Sequence, residues 1–268
     1  MLKGPSPTWR AAALCTAALL CAPLVLHAQE EGASPSSAKA AAQSAKFNKN
    51  PAPKNPRDFS GVWQTPGYDF KYRQVDGSLP PMNEAEKKSR DHHLAMLEAG
   101  TPILDAPTQC FPHGIPRLMA SPYPIQFDYQ PGVIVILHEV AHNIRYIHMD
   151  GRPVPKSEPH TFLGYSRGHW EGDTLVVVTD HLNDKTQLDE ESLSHSDQLV
   201  VTEHFRKIVN KYGGVELENI MTIDDPVHYT KPWNALRMYP WRGDLHITEY
   251  SCEENNRNVG ADGVTVAK

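Results

Sequence analysis

One acidic residue lies within an apolar stretch of alternating sequence. Asp197–Ile208 is predicted to be a strand, in which neighbouring side chains point to opposite faces. Glu203 falls on the more apolar of the two faces. A carboxylate among apolar neighbours is the arrangement by which proteins tune a general acid or base. The alternative role is structural: a buried carboxylate needs a partner, and Arg145 is the candidate for an ion pair. The face that we expect to point inward consists of Asp197, Leu199, Val201, Glu203 and Phe205.

A polar connection precedes this stretch. Residues 180–197 are rich in carboxylates, amides and histidines and join two predicted strands, so they lie at an end of the sheet, where an interior pocket would open. His195 and Asp197 are close enough in sequence for the carboxylate to orient the imidazole for proton transfer. The alternative is a solvated acidic loop. Ser196 lacks the Gly-x-Ser-x-Gly surroundings of a hydrolase nucleophile.

A second carboxylate–imidazole pair is predicted around a turn. Glu139 and His142 flank Val140 and Ala141, and we expect their side chains to meet as a further acid–base pair. The histidines in this region lack the HExxH spacing of a helical zinc site, and we expect neither a metal nor another cofactor. The residues that we expect to line a ligand cavity are Trp63, Tyr123, Arg145 and Tyr250.

Strands and tight turns account for most of the chain between residues 57 and 255. Asn83 as the N-cap, Glu86 three residues later and Gly100 after the end predict one helix, and the proline-rich residues 101–131 predict a loop. About nine strands and one N-terminal helix predict a mainly β fold, an antiparallel β-barrel, with a β-sandwich as the alternative. The predicted strands are Ser60–Thr65, Gly132–Glu139, His142–Met149, Thr161–Trp170, Thr174–Thr179, Asp197–Ile208, Val215–Ile223, Trp233–Tyr239 and Leu245–Cys252.

The first residues have the pattern of a secretory signal peptide. Lys3 and Arg10 precede a short apolar run, and Ala28 provides a small residue for cleavage, so we expect residues 1–28 to be removed and the protein to be periplasmic or secreted. Residues 29–56 are rich in Ala, Ser, Lys and Pro and predict a disordered tether. Residues 57–255 then form a single domain, followed by a tail at 256–268.

Signal cleavage would leave two cysteines, Cys110 and Cys252. Two thiols in an oxidising compartment predict one structural disulfide. A catalytic thiol or a thiolate metal ligand is the alternative, but neither a CxxC motif nor an adjacent Cys–His pair is present.

Six short motifs resemble those of a family of exported Gram-negative bacterial proteins that has no established activity. They lie at Asp58–Trp63, Ser121–Pro124, Trp170–Val177, Ile223–Pro226, Tyr229–Trp233 and Cys252–Asn256, so the resemblance covers nearly all of residues 57–256. Gly61-Val62-Trp63 is also similar to the Gly-x-Trp of the first strand of lipocalin-type (calycin) barrels. That resemblance implies that Trp63 closes one end of the barrel and that a late arginine, here Arg237, lies across it.

Charge and composition narrow the possible functions. A formal charge of −6 argues against nucleic acid as a partner, and no membrane insertion is expected after signal cleavage. No glycine-rich phosphate loop is present, which disfavours nucleotide-dependent reactions. We therefore expect cofactor-independent acid–base chemistry, by a lyase, isomerase, cyclase or hydrolase, on a small apolar molecule in an interior pocket. The alternatives are a carrier that uses the same pocket and an envelope interaction module.

Overall fold

The computed structural model describes residues 50–101 and 105–252, all of which belong to one compact unit. The predicted signal peptide, most of the predicted tether and the predicted tail at 256–268 lie outside the described residues. The last tether residues contact the barrel: the Nζ of Lys207 donates to the carbonyl of Pro53 at 2.6 Å, and the indole of Trp241 donates to that of Asn50 at 2.6 Å. The folded part therefore includes residues before the predicted boundary at 57.

The helix forms where the sequence predicts it. Helix α1 spans Glu84–Glu98, and the side chain of Asn83 accepts a hydrogen bond from the backbone N–H of Glu86 at 2.9 Å. Gly100 follows with a φ of 68°. The face of α1 that packs on the barrel is polar, because its buried residues are Glu86 and Arg90.

The fold is mainly β. Its nine strands form one sheet, in which each strand lies beside the strands that precede and follow it in the sequence. Their bounds are β1 Gly61–Trp63, β2 Ile125–Gln130, β3 Val133–His138, β4 Ile144–His148, β5 Tyr165–Glu171, β6 Thr174–Asp180, β7 Val200–Val209, β8 Val215–Asp224 and β9 Trp233–Pro240.

Neighbouring strands are antiparallel except at one place. Strands β4 and β5 are parallel, and they pair only at Ile147 with Ser166 and at His148 with Arg167. The expectation of a purely antiparallel sheet is corrected here. The reason is the connection after β4, which returns along the barrel before β5 begins, as parallel neighbours require.

Two predicted segments differ from the structure. Strand β2 lies inside the stretch predicted as a loop, where Ile125 and Phe127 point inward between proline-rich neighbours. Leu245–Cys252, predicted as a strand, pairs with no strand in the described part of the chain. Its backbone instead binds side chains: the N–H of Thr248 donates to Glu139 and that of Tyr250 donates to His142.

The sheet curls into a nearly closed barrel. The chain just after β9 returns to β1, where Trp63 pairs with Trp241 and the N–H of Arg242 donates to the carbonyl of Val62 at 2.9 Å. Gly61 has a φ of 111°, and a Cβ there would overlap the ring of Trp241. The glycine of the Gly-x-Trp sequence is thus required by the close approach of the two ends of the sheet.

Packed side chains fill the barrel interior. Inward residues of the strands and residues of the loops that cross both ends form one buried core cluster. At one end Phe59 contacts Phe127 and Trp170 through their rings, at centroid distances of 5.7 and 5.4 Å. Elsewhere in the core the hydroxyl of Tyr72 donates to the carbonyl of Pro116 at 2.8 Å. The interior pocket expected from the sequence is occupied by this core.

Candidate functional site

Glu203 points into the barrel, and its partner is Arg145. The two form an ion pair across the interior between β7 and β4, with side chains 0% and 1% exposed. The second carboxylate oxygen of Glu203 accepts from the amide of Asn219 at 3.0 Å. The ion pair that the sequence offered as the structural alternative is therefore present, and both charges are compensated.

The guanidinium of Arg145 also binds two buried hydroxyls. Its Nε donates to Ser166 at 3.0 Å, and its Nη2 donates to Thr179 at 2.7 Å. The two hydroxyls are 2.8 Å apart and are hydrogen bonded to each other. This polar row crosses β4 to β8 because each residue occupies an inward position of its strand, where side chains repeat every second residue.

A cleft of about 400 Å³ opens in the barrel wall where β4 and β5 separate. We call it the seam cleft. Arg145 and Ser166 line it, so the cleft reaches the residues of the central polar row. The other lining residues come from β4 and from the chain that leads into β5: Ile144, Tyr146, His148, Glu158, Thr161, Leu163, Gly164 and Tyr165.

A stacked pair of rings, one from β4 and one from β5, lines the seam cleft. The imidazole of His148 and the phenol ring of Tyr165 have centroids 4.7 Å apart and are inclined by 19°. Desolvation, followed by the charge of Arg152, lowers the pKa of His148 below its usual value. Its Nδ1 is buried and has no hydrogen-bond partner among the residues that the structure describes. His148 is therefore a titratable group of this cleft whose pKa is lowered by its surroundings.

The structure does not bring His195 and Asp197 together. His195 is buried, and its Nε2 lies 2.9 Å from the hydroxyl of Thr186. Asp197 is exposed because it precedes the first ladder residue of β7, so the strand alternation does not extend to it. The carboxylate that holds this loop is that of Asp225, directly after β8, which accepts from the N–H of Ser196 at 2.6 Å.

Glu139 and His142 do not pair with each other either. Each binds the segment Leu245–Cys252, in which Thr248 donates to Glu139 at 2.9 Å and Tyr250 donates to His142 at 2.8 Å. Tyr123 joins the same contact, because its ring meets that of Tyr250 edge-on at 5.3 Å. Four sequence-predicted site residues thus converge, but they hold the C-terminal segment in place and lie outside the seam cleft.

Trp63 is a core residue. It is fully buried, its indole donates to the carbonyl of Phe59 at 2.8 Å, and its ring packs edge-on against Trp241 at 5.0 Å. Arg237 lies over the ring of Tyr72 at 4.4 Å and does not lie across Trp63. The arrangement implied by the lipocalin resemblance is corrected at this point.

Sequence reasoning missed most of the seam cleft. The sequence predicts Tyr165 and Leu163 only as strand residues, and it offers His148 only as a strand residue and as one of the histidines that lack the spacing of a zinc site. A local pattern does not say that two sequential strands run parallel and diverge. A usable signal was present: the long proline-containing connection between β4 and β5 is far longer than a hairpin loop.

Cys110 and Cys252 are joined in a disulfide with a Cα–Cα distance of 5.8 Å, as predicted. Within residues 50–101 and 105–252, no three His, Cys, Asp or Glu side chains are grouped so as to hold a metal ion. In the same part of the chain, no helix has the length and apolar character needed to cross a membrane. Comparisons of the chain with family models, with curated proteins and with solved structures found no match.

Proposed function

We propose that this protein is an exported β-barrel that binds a small, partly apolar molecule in the seam cleft. The observation that carries the proposal is the cleft of about 400 Å³, a volume within the range of small-molecule sites. Its walls include Ile144, Leu163 and the stacked His148–Tyr165 pair. Arg145, Glu158, Thr161 and Ser166 supply the polar groups of the lining. Apolar walls with a few polar groups are typical of sites that bind and orient a small ligand.

Binding without catalysis is supported by the state of Glu203. Its carboxylate is fully buried, paired with Arg145 and bonded to Asn219, so the group that the sequence offered as a general base is already engaged. Because the interior is packed, a ligand would approach the buried polar residues only through the cleft in the barrel wall, where Arg145 is part of the lining.

Titration with the neutral dye Nile red tests the proposal. We expect saturable binding with one site, and we expect Ile144→Asp to weaken it by about tenfold or more, because the charge is placed in an apolar wall. Val209→Asp is the matched control, since Val209 is also an exposed apolar strand residue (70% exposed) but lies outside the cleft. Equal effects of the two substitutions would contradict a site at the seam.

A second candidate function, cofactor-independent acid–base catalysis in the same cleft, is favoured by His148. His148 lines the cleft, and its lowered pKa favours the neutral imidazole, the form that can accept a proton from a bound molecule. Native mass spectrometry of the protein from its own host would identify a retained molecule. Conversion of that molecule by the wild type, together with binding but no conversion by His148→Asn, would assign an enzyme. Binding without conversion by either protein would assign a carrier.

Export and family membership are part of the proposal. The charged start, apolar run and Ala28 support cleavage by a signal peptidase, and the six motifs support a place among the exported Gram-negative proteins that they resemble. N-terminal sequencing of the protein from its host is expected to begin at Gln29. An N-terminus that retains Lys3 and Arg10 would contradict export by this route.

A further inference from the structure

The pattern of hydrogen bonds between β3 and β4 determines which peptide groups of β4 face β3 and which face β5. The N–H of His138 donates to the carbonyl of Asn143 at 2.9 Å, and that of Met149 donates to the carbonyl of Gly132 at 2.9 Å. Bonded and non-bonded pairs alternate along an antiparallel ladder, so residues 143, 145, 147 and 149 bond to β3. The peptide groups of Ile144, Tyr146 and His148 consequently point the other way, toward β5.

Strand β5 pairs with only part of this edge. The parallel ladder begins at Ile147 and Ser166, and the chain before β5 turns away, because Thr161 bridges to Leu182 on the far side. Across the described ranges, both backbone groups of Ile144 and the N–H of Tyr146 form no hydrogen bond. A strand edge with free donors and acceptors is a template for another extended chain.

The side chains beside the free edge suit an extended peptide. Ile144 and Tyr146 point outward on one wall, 46% and 52% exposed, and Leu163 and Tyr165 form the opposite wall. In strand addition, main-chain bonds give affinity, and contacts with alternate side chains give specificity. The free edge spans Ile144–Tyr146, which matches a peptide segment about 10 Å long.

The charged residues around the cleft indicate which charge a ligand should carry. Arg145 is neutralised by Glu203, and Arg152, whose charge acts on His148, is paired with Asp150. Glu158 lines the cleft and forms no ion pair with any residue that the structure describes. A basic side chain on the ligand would complement this carboxylate.

We propose that the ligand of the seam cleft is a short, extended peptide that adds a strand to the free edge of β4, with a basic side chain opposite Glu158. This inference rests on the proposed function, because it names the chemical class of ligand for the same cleft. The peptide supplies the backbone donors and acceptors that β5 leaves unmatched, and its outward side chains pack on Ile144 and Tyr146.

The probe that tests the proposal is the peptide acetyl-Val-Lys-Val-Lys-Val-amide. We expect it to bind the full-length mature protein and to slow amide hydrogen exchange at Ile144 and Tyr146. A peptide N-methylated at the amides on one edge is expected to bind about fivefold more weakly, since it loses its one hydrogen bond to the free carbonyl of Ile144, and such a bond is worth about fivefold. Because N-methylation changes only the probe, this comparison does not depend on the folding of a variant.

Matched variants locate the contact on the protein. Ile144→Pro removes a backbone N–H at the first residue of β4, and Asn143, with φ −70° and ψ 133°, already has the conformation that precedes proline. We expect Ile144→Pro to weaken peptide binding by about fivefold more than Ile144→Ala, which keeps the N–H. Glu158→Gln is expected to reduce the affinity about threefold and to flatten its salt dependence.

The outcomes separate this inference from the proposed function. Equal binding of the parent and N-methylated peptides, or unchanged exchange at Ile144 and Tyr146, would overturn the peptide proposal. If Nile red still binds and is still sensitive to Ile144→Asp, the seam cleft remains a small-molecule site. If neither probe binds there, both proposals fail.

Discussion

Arg145 and Glu203 compensate each other in the interior, so neither side chain can be removed alone without leaving a buried charge. We predict that Arg145→Met and Glu203→Gln each lower the free energy of unfolding by about 3–5 kcal/mol. The double variant Arg145→Met/Glu203→Gln is expected to recover much of that loss, because no unpaired charge remains. Urea denaturation of the four proteins measures these energies, and additive losses in the double variant would show that the two residues are not coupled.

Adding a single Cβ atom at Gly61 is expected to destabilise the fold. Its φ of 111° and the ring of Trp241 leave no space for a Cβ. We predict that Gly61→Ala lowers the free energy of unfolding by about 2 kcal/mol or more, through backbone strain and overpacking. Gly77→Ala is the control, because Gly77 also has a positive φ but meets nothing within 4 Å. Thermal melts compare the two, and equal losses would assign the effect to φ alone.

Single-residue reasoning from sequence succeeded where a ladder imposes alternation. It placed Glu203 inward and named Arg145 as its partner, because period-two spacing holds in β4 and in β7 from Val200 to Arg206. It failed for His195 with Asp197 and for Glu139 with His142. Those residues lie at strand ends and turns, where local spacing does not fix the direction of a side chain.

Helix α1 docks through polar contacts that its sequence pattern did not indicate. The Glu86 carboxylate, 2% exposed, accepts from the N–H of Ser194 at 2.7 Å and contacts Nδ1 of His228 at 2.9 Å. Arg90 pairs with Glu191, which also binds Arg73. Glu86 stands where the second residue of a capping box would bond back to Asn83, but its carboxylate is used in docking. Only the bond from the Glu86 N–H to the Asn83 side chain forms.

The docking of α1 should depend on pH. The hydrogen bond from His228 to Glu86 raises the pKa of His228 above its usual 6.5, aided by the charges of Glu86 and Asp225. The contact is therefore fully stabilising below pH 6.5 and weakens as the pH rises through the raised pKa. Hydrogen exchange of the α1 amides is expected to accelerate from about pH 6 to about pH 9 beyond the intrinsic rate. His228→Gln should remove this excess, and an excess that persists in the variant would point to another group.

Element boundaries followed local pattern except where a partner strand decided them. Ile125–Gln130 became β2 despite its proline-rich surroundings because it bonds to both β1 and β3. Leu245–Cys252 has a similar apolar content but no adjacent strand, so side chains hold it instead. Strand formation depends on such partners more than on intrinsic propensity.

At the scale of the whole molecule, the Cys110–Cys252 disulfide links the proline-rich segment before β2 to the segment after the last strand. The bond spans 142 positions, for which the chain-entropy model gives a stabilisation of about 5 kcal/mol. We predict that Cys252→Ser melts at a lower temperature than the wild type under oxidising conditions and at the same temperature under reducing conditions. Identical melting under oxidising conditions would exclude a stabilising bond.

Two buried histidines make the barrel sensitive to acid. Burial, followed by the charge of Arg145, lowers the pKa of His138 to about 3, and burial with the charge of Arg117 lowers that of His113 to about 4. The unfolded chain binds these protons near pH 6.5, so stability falls as the pH drops below that value. The expected slope is about 1.4 kcal/mol per pH unit for each histidine. Urea midpoints measured at several pH values should show a reduced slope in His138→Phe, and an unchanged slope would contradict the assignment.

The sequence alone determined the mainly β fold, helix α1, the inward face around Glu203 and the pairing of the two cysteines outside the first 28 residues. These features follow from period-two alternation, capping residues and composition, which act between near neighbours in the chain. Only the tertiary structure decided that β4 and β5 run parallel, that the interior is filled and that the cleft lies in the wall. Those outcomes depend on contacts between residues distant in sequence, and no local pattern encodes where a returning chain will pair.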